Sequence, residues 1–132
     1  MTLIGFGSNL NVSVLLKRGG FIMSTKEEIS MVGFKIVAYA GDAKTALIKA
    51  LNAAKQGKFE EARQLVKDSE DSLNDAHNAQ TKLLSEEAGG AELDTTFIMS
   101  HGQDTLMTTM LLRDEVSYFI DLFERVGKLE NK

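Results

Sequence analysis

Few side chains in this sequence are capable of covalent chemistry. It has two histidines, His77 and His101, and no cysteine, which excludes disulfides, thiolate metal sites and cysteine nucleophiles. His101 stands out by its company: with Gln103, Asp104 and Thr108 it interrupts a segment otherwise rich in Met and Leu. On a helix, His101 lies one turn before Asp104 and shares a face with Thr105 and Thr108. Gly102 follows directly and leaves no side chain to crowd the neighbouring surface. An imidazole with an ordinary pKa of ~6.5 is largely neutral near pH 7 and is then a good nucleophile. Most lone histidines in helices only pack or face water, so residue type alone leaves both roles open.

Asp104 raises a different question. At heptad spacing Phe97, Asp104, Leu111 and Tyr118 fall on one stripe, with Thr108, Glu115 and Leu122 beside it. The pattern places Asp104 on or close to a face expected to be buried. A lone carboxylate there loses several kcal/mol of solvation unless it is paired, protonated or bound to a cation. Two readings follow: the stripe drifts and Asp104 reaches water, or copies of Asp104 meet on a symmetry axis around a hard, oxygen-preferring cation such as Mg²⁺. His77, in Ala76-His77-Asn78-Ala79-Gln80-Thr81, either approaches another polar site or sits at a bundle edge. Two histidines without cysteine make a zinc catalytic site a poor fit. The sequence has no G-x-S-x-G, no Walker A motif and no dinucleotide glycine fingerprint, against serine-hydrolase chemistry and direct use of ATP or NAD.

The elements that must carry these residues read as three helices. Thr25 and Glu28 stand at capping-box spacing. After them Ile29, Val32, Ile36, Ala40, Ala43, Leu47, Ala50, Leu51 and Ala54 recur at steps of three and four, past Gly33 and Gly41, to a close at Gly57. A second helix runs from Lys58 to about Glu87, its inner face marked by residues from Phe59 to Leu84, and Gly89-Gly90 ends it. Asp94 or Thr95 caps a third, which continues to about Val126 before Gly127. Helices of about thirty residues span ~45 Å, and short glycine-marked links make neighbours antiparallel. The expected fold is all-α: an antiparallel three-helix bundle, long and thin enough to leave apolar surface for self-association.

Composition agrees. The chain has 132 residues, 43% hydrophobic and 26% charged, with no proline. That suits one helical domain within the range of water-soluble proteins. A formal charge of −4 and the lack of a basic block argue against nucleic acid as a partner, and nothing is long and apolar enough to insert in a membrane. Residues 1–22 differ from the rest. Their positive charges follow the apolar run, unlike a secretory signal. Arg18-Gly19-Gly20 is what a purine-rich ribosome-binding sequence encodes when read as codons, just before Met23. We therefore expect 1–22 to be an N-terminal extension outside the native protein, Met23 the true start and 23–132 the functional domain. The intact mass of the natively expressed protein is expected to lack residues 1–22; a mass including Met1 would contradict this.

Three segments together resemble one family. Gly33-Phe34-Lys35-Ile36-Val37-Ala38-Tyr39-Ala40-Gly41-Asp42-Ala43 is similar to the first-helix signature of the lactose/cellobiose-specific IIA components of bacterial sugar phosphotransferase systems. Asn74-Asp75-Ala76-His77-Asn78-Ala79-Gln80-Thr81 is similar to the second-helix segment, and His101-Gly102-Gln103-Asp104-Thr105-Leu106-Met107-Thr108-Thr109 to the active-site segment. The match runs in order from about Glu27 to Lys128, and residues 1–22 have no counterpart in it.

The resemblance implies a homotrimer forming a nine-helix bundle, in the cytoplasm, with active sites near subunit interfaces. It implies that His101 becomes a tele-phosphohistidine, taking a phosphoryl group from phospho-HPr and giving it to a cysteine of IIB. IIC then moves a disaccharide of the lactose, cellobiose or chitobiose type while IIB phosphorylates it. Asp104 matches the metal-binding aspartate at the trimer axis, which implies one Mg²⁺ per trimer. Where the family often has a second histidine this chain has Thr105, a departure that leaves the phosphorylated position untouched. Covalent transfer through histidine splits one transfer into two reversible in-line displacements. The phosphoryl oxygens need donors, which Gln103, a helix N-terminus or, less directly, His77 would supply. The rival reading is an oligomeric helical adaptor whose polar stripe only sets register.

Overall fold

The computed structural model describes residues 24–131, so the expectations for 1–22 and for a start at Met23 lie outside the described residues. Three helices account for nearly all of it: α1 (Lys26–Lys55), α2 (Phe59–Ala88) and α3 (Phe97–Glu130). At 1.5 Å per residue they are ~45–50 Å long. The expected all-α three-helix bundle is what forms.

Local chemistry sets the helix ends. Thr25 Oγ1 accepts from the Glu28 N–H at 3.2 Å and the Glu28 carboxylate accepts from the Thr25 N–H at 2.7 Å, so the expected capping box is complete. Gly57, at φ +77°, lets the Lys58 N–H reach the Ala53 carbonyl and its own N–H reach Ala54. Gly90, at φ +95°, repeats this on α2, with Ala91 bonding to Glu86. Both satisfy carbonyls that a helix end otherwise strands.

α3 differs from expectation at both ends. Its cap is Thr96, whose Oγ1 accepts from the Met99 N–H at 3.2 Å, rather than Asp94 or Thr95. Thr96 is also buried, so the capping choice serves packing as well. The helix runs through Gly127 to Glu130 instead of stopping near Val126. A glycine costs an exposed helix only about 1 kcal/mol, and Lys128 pairs with Glu124 across the next turn at 3.3 Å.

α1 is the central element: it packs along both other helices, which meet each other far less. Its inner positions are Ile36, Ala40, Ala43, Leu47 and Ala50, and the alanines let the neighbouring helices come close. Ile36, Ala40, Leu73 and Leu106 hold one end of the core, and Leu47, Ala62, Val116 and Ile120 the other. Ser69 and Thr109 are buried with them and turn their hydroxyls onto the carbonyls of Val66 (2.6 Å) and Thr105 (2.7 Å), which removes the cost of an unpaired buried group. Leu84, expected on the inner face of α2, is exposed.

An ion-pair clasp links α2 to α3 at the end where α2 begins and α3 ends. Arg63 bonds the Glu124 carboxylate and also faces Asp121 at 3.7 Å and Glu60 at 3.4 Å. The hydrogen bond from Arg63 holds the Glu124 carboxyl below its ordinary value, with Lys128 adding to the effect. A carboxyl lowered in the folded state stabilises it above the unfolded-state pKa of ~4.3, and that contribution is lost as pH falls through the folded value. The difference in melting temperature between wild type and Glu124→Gln is therefore expected to be present at pH 7 and to close as pH drops below ~4. A difference that persists once the Glu124 carboxyl is protonated would show that Glu124 acts through packing.

Candidate functional site

The segment from Met99 to Thr109 sits where α3 crosses α1 at backbone contact. A Cβ added to Gly33 would lie 2.8 Å from the Met99 nitrogen and 2.9 Å from the Ile98 carbonyl carbon; one added to Gly102 would lie 3.0 Å from the Gly33 oxygen. Both glycines are buried. The two glycines let the helices touch main chain to main chain, and His101 is bonded directly to one of them. The sequence signal was available as two glycines tolerated inside helices at ~1 kcal/mol each, but pattern alone does not say what faces them.

His101 is exposed, as is Asp104 one turn on, and Thr108 one turn beyond that. Three hydroxyls beside them are turned onto the helix backbone: Thr105 donates to the His101 carbonyl (2.8 Å), Thr108 to Asp104 (2.8 Å) and Thr109 to Thr105 (2.7 Å). Their protons are thus engaged within the helix. Among the described residues no hydrogen bond or ion pair reaches the His101 imidazole or the Asp104 carboxylate. The His101 imidazole of a single chain is open to solvent, and no base or donor bonds to it among the described residues.

Gln103 is not brought to His101. Two residues along a helix is about 200° around it, and Gln103 lines a different cleft, with Gln80, Ile29, Leu83 and Met99, between the end of α2 and the start of α3. The Gln80 Oε1 is buried there without a hydrogen-bond partner. His77 is exposed on α2, where its carbonyl accepts from Thr81 at 2.9 Å, and no contact joins its ring to His101 among the described residues.

The stripe carrying Asp104 is not buried within the chain. Phe97 is 97% exposed, Leu111 58%, Tyr118 73% and Leu122 53%. The face of α3 that enters the core is Met99, Gly102, Leu106, Thr109, Val116 and Ile120, on the opposite side of the helix. α3 therefore has two apolar stripes, and the one chosen from heptad spacing is the outer one. Asp104 reaches solvent in a single chain, while surrounded along its stripe by apolar side chains that nothing in that chain covers. No group of three His, Asp or Glu able to hold a metal gathers among the described residues. One chain offers Asp104 alone, so a divalent cation fits here only as a ligand shared between copies.

The family model described as "PTS system, Lactose/Cellobiose specific IIA subunit" matches residues 31–124, which takes in most of α1, all of α2 and the crossing on α3. The chain belongs to the lactose/cellobiose-specific IIA family. It is 64% identical over 111 residues to the PTS system lactose-specific EIIA component of Lacticaseibacillus casei, covering 84% of this chain and 99% of that one. Among solved structures it is similar to the cellobiose-specific enzyme IIA of Bacillus anthracis, at 31% identity and a TM-score of 0.73, covering 80% of this chain and 95% of that one. It is also similar to the IIA(Chitobiose) chain solved in complex with HPr from the N,N'-diacetylchitobiose branch of the Escherichia coli phosphotransferase system. There the identity is 34%, the TM-score 0.66, and the match covers 76% of this chain and 97% of that one. The matched stretch of this IIA chain includes all four expected site residues, His77, His101, Gln103 and Asp104. No helix of the described residues is long and apolar enough to cross a membrane.

Proposed function

We propose that this IIA chain is a phosphohistidine carrier. Nε2 of His101 attacks the phosphoryl group of phospho-HPr; the N–P bond forms as the bond to HPr breaks. A cysteine thiolate of IIB then takes the group, and the imidazole returns to its free state. IIC and IIB use that group to move and phosphorylate a disaccharide of the lactose, cellobiose or chitobiose type. The supporting observation is the openness of His101. A residue that must be reached in turn by two proteins has to stand clear of its own fold, and a helix pinned by backbone contact keeps it there. Solution of a related IIA chain with HPr supports HPr as the donor.

The same reading places the chain in the cytoplasm as a homotrimer. Its outer α3 stripe of Phe97, Leu111, Tyr118 and Leu122 is exposed and apolar, as an interaction surface is, and a symmetric contact would bring copies of Asp104 together. Three carboxylates on one axis would hold a single Mg²⁺, whose hard character suits oxygen ligands; when bound, it offsets their mutual repulsion. Gln103 faces away from His101 of its own chain, so any support it or His77 gives a phosphoryl group comes from a neighbouring copy. Phosphoryl transfer from phospho-HPr through this chain to a purified cognate IIB tests the carrier role. A chain that takes no label is instead an oligomeric adaptor.

A further inference from the structure

We propose that Gly33 is a positioning residue for His101: it fixes how close the histidine-bearing turn of α3 lies to α1. The proposal rests on the reading of His101 as the phosphoryl carrier. Its basis is the contact at Gly33 and Gly102. Ordinary van der Waals contact begins near 3.4 Å, but a methyl at Gly33 would stand 2.8–2.9 Å from the Met99 nitrogen and Cα and the Ile98 carbonyl carbon. These are main-chain atoms and have no rotamer with which to move aside. The helices must part by about half an ångström or more to relieve the overlap, and the turn that moves is the one bearing His101.

That displacement matters because His101 is read by other proteins. A protein–protein footprint covers ~800 Å² per partner, while a helix is only ~10–12 Å across. A donor seated on His101 therefore also rests on surface contributed by a second helix. With α1 packed along α3 at this turn, the distance between them sets where the imidazole stands in that footprint. In-line transfer is sensitive to such offsets: about 1 Å of misplacement can cost ~100-fold in rate.

Gly41 gives an internal control. It lies on the same helix, and a Cβ there meets nothing within 4 Å, so Gly41→Ala shares the gain in helix propensity without touching the crossing. Gly102→Ala gives a milder version, its methyl 3.0 Å from the Gly33 oxygen and 3.3 Å from the Ile36 Cβ.

The test is steady-state transfer from phospho-HPr through the full chain to IIB, at a temperature where circular dichroism shows every variant folded. Gly33→Ala is expected to lower kcat about tenfold or more with KM for phospho-HPr within about twofold. The carbon-13 shifts of the His101 ring should move with it. Gly102→Ala is expected to lower kcat about threefold, and carries the test alone if Gly33→Ala does not fold. Gly41→Ala should match wild type. If the folded glycine variants keep wild-type kcat, the crossing serves stability only and the proposal fails. If wild type itself takes no label on His101, the carrier reading fails first and the positioning role with it.

Discussion

Incubated with Enzyme I, HPr and phosphoenolpyruvate, the wild-type chain is expected to gain an acid-labile, alkali-stable phosphate, and His101→Ala none. If His101 is the carrier, this substitution removes the atom that holds the group, so the label should fall to background rather than by a modest factor. The control is favourable because His101 is exposed. Surface truncations of this kind usually change stability by less than ~0.5 kcal/mol, so His101→Ala should keep the wild-type melting temperature. His77→Ala should keep the label, since His77 stands on another helix and no hydrogen bond joins it to His101 among the described residues. Label retained in His101→Ala and lost in His77→Ala would move the carrier to α2; label on neither protein would leave an adaptor.

The second large effect is expected at Asp104. Like charges 5 Å apart at an effective dielectric of 20 repel by about 3 kcal/mol per pair, so copies meeting on an axis without a cation should loosen the assembly. Sedimentation of wild type with EDTA is expected to show dissociation that Mg²⁺ reverses. Asp104→Leu replaces each carboxylate by an apolar group on a stripe already rich in Phe, Leu and Tyr, so it should associate more tightly and ignore EDTA. A wild-type assembly indifferent to chelation, or an Asp104→Leu protein that still needs the cation, would contradict the shared site. Transfer rates then separate two roles. If Asp104→Leu loses the metal and keeps full transfer, Asp104 serves assembly alone; if transfer falls, the cation also conditions the histidine one turn away.

Much of this was legible in the residues. The capping box at Thr25 and Glu28, the glycine at Gly57 and the three-helix pattern follow from local rules, because each depends on neighbours a few positions apart. The outer stripe of α3 was found, but not that a single chain leaves it exposed. Phe97, Asp104, Leu111 and Tyr118 keep heptad spacing as well as Met99, Leu106 and Ile120 do, and periodicity cannot tell which of two apolar faces meets its own chain. The Thr96 cap was missed because Asp94, Thr95 and Thr96 are all good caps and only packing chooses among them. Pairing Gln103 with His101 failed for a simpler reason: proximity in sequence is not proximity on a helix at two residues' separation. The family segments located the histidine, whereas only the fold shows that the turn bearing it rests on Gly33.

The central place of α1 also bears on how the molecule comes into being. The chain is made from its N-terminal side, so α1 and α2 are complete, and can close as a hairpin across the Gln56–Lys58 link, before α3 exists. Their contacts are local and quick to form. α3 then docks by long-range contacts, most of them onto α1 rather than α2. The helix that carries His101 is thus the last to be secured. Until Gly33 meets the turn beside it, the newly made protein has its scaffold but His101 is not yet in place.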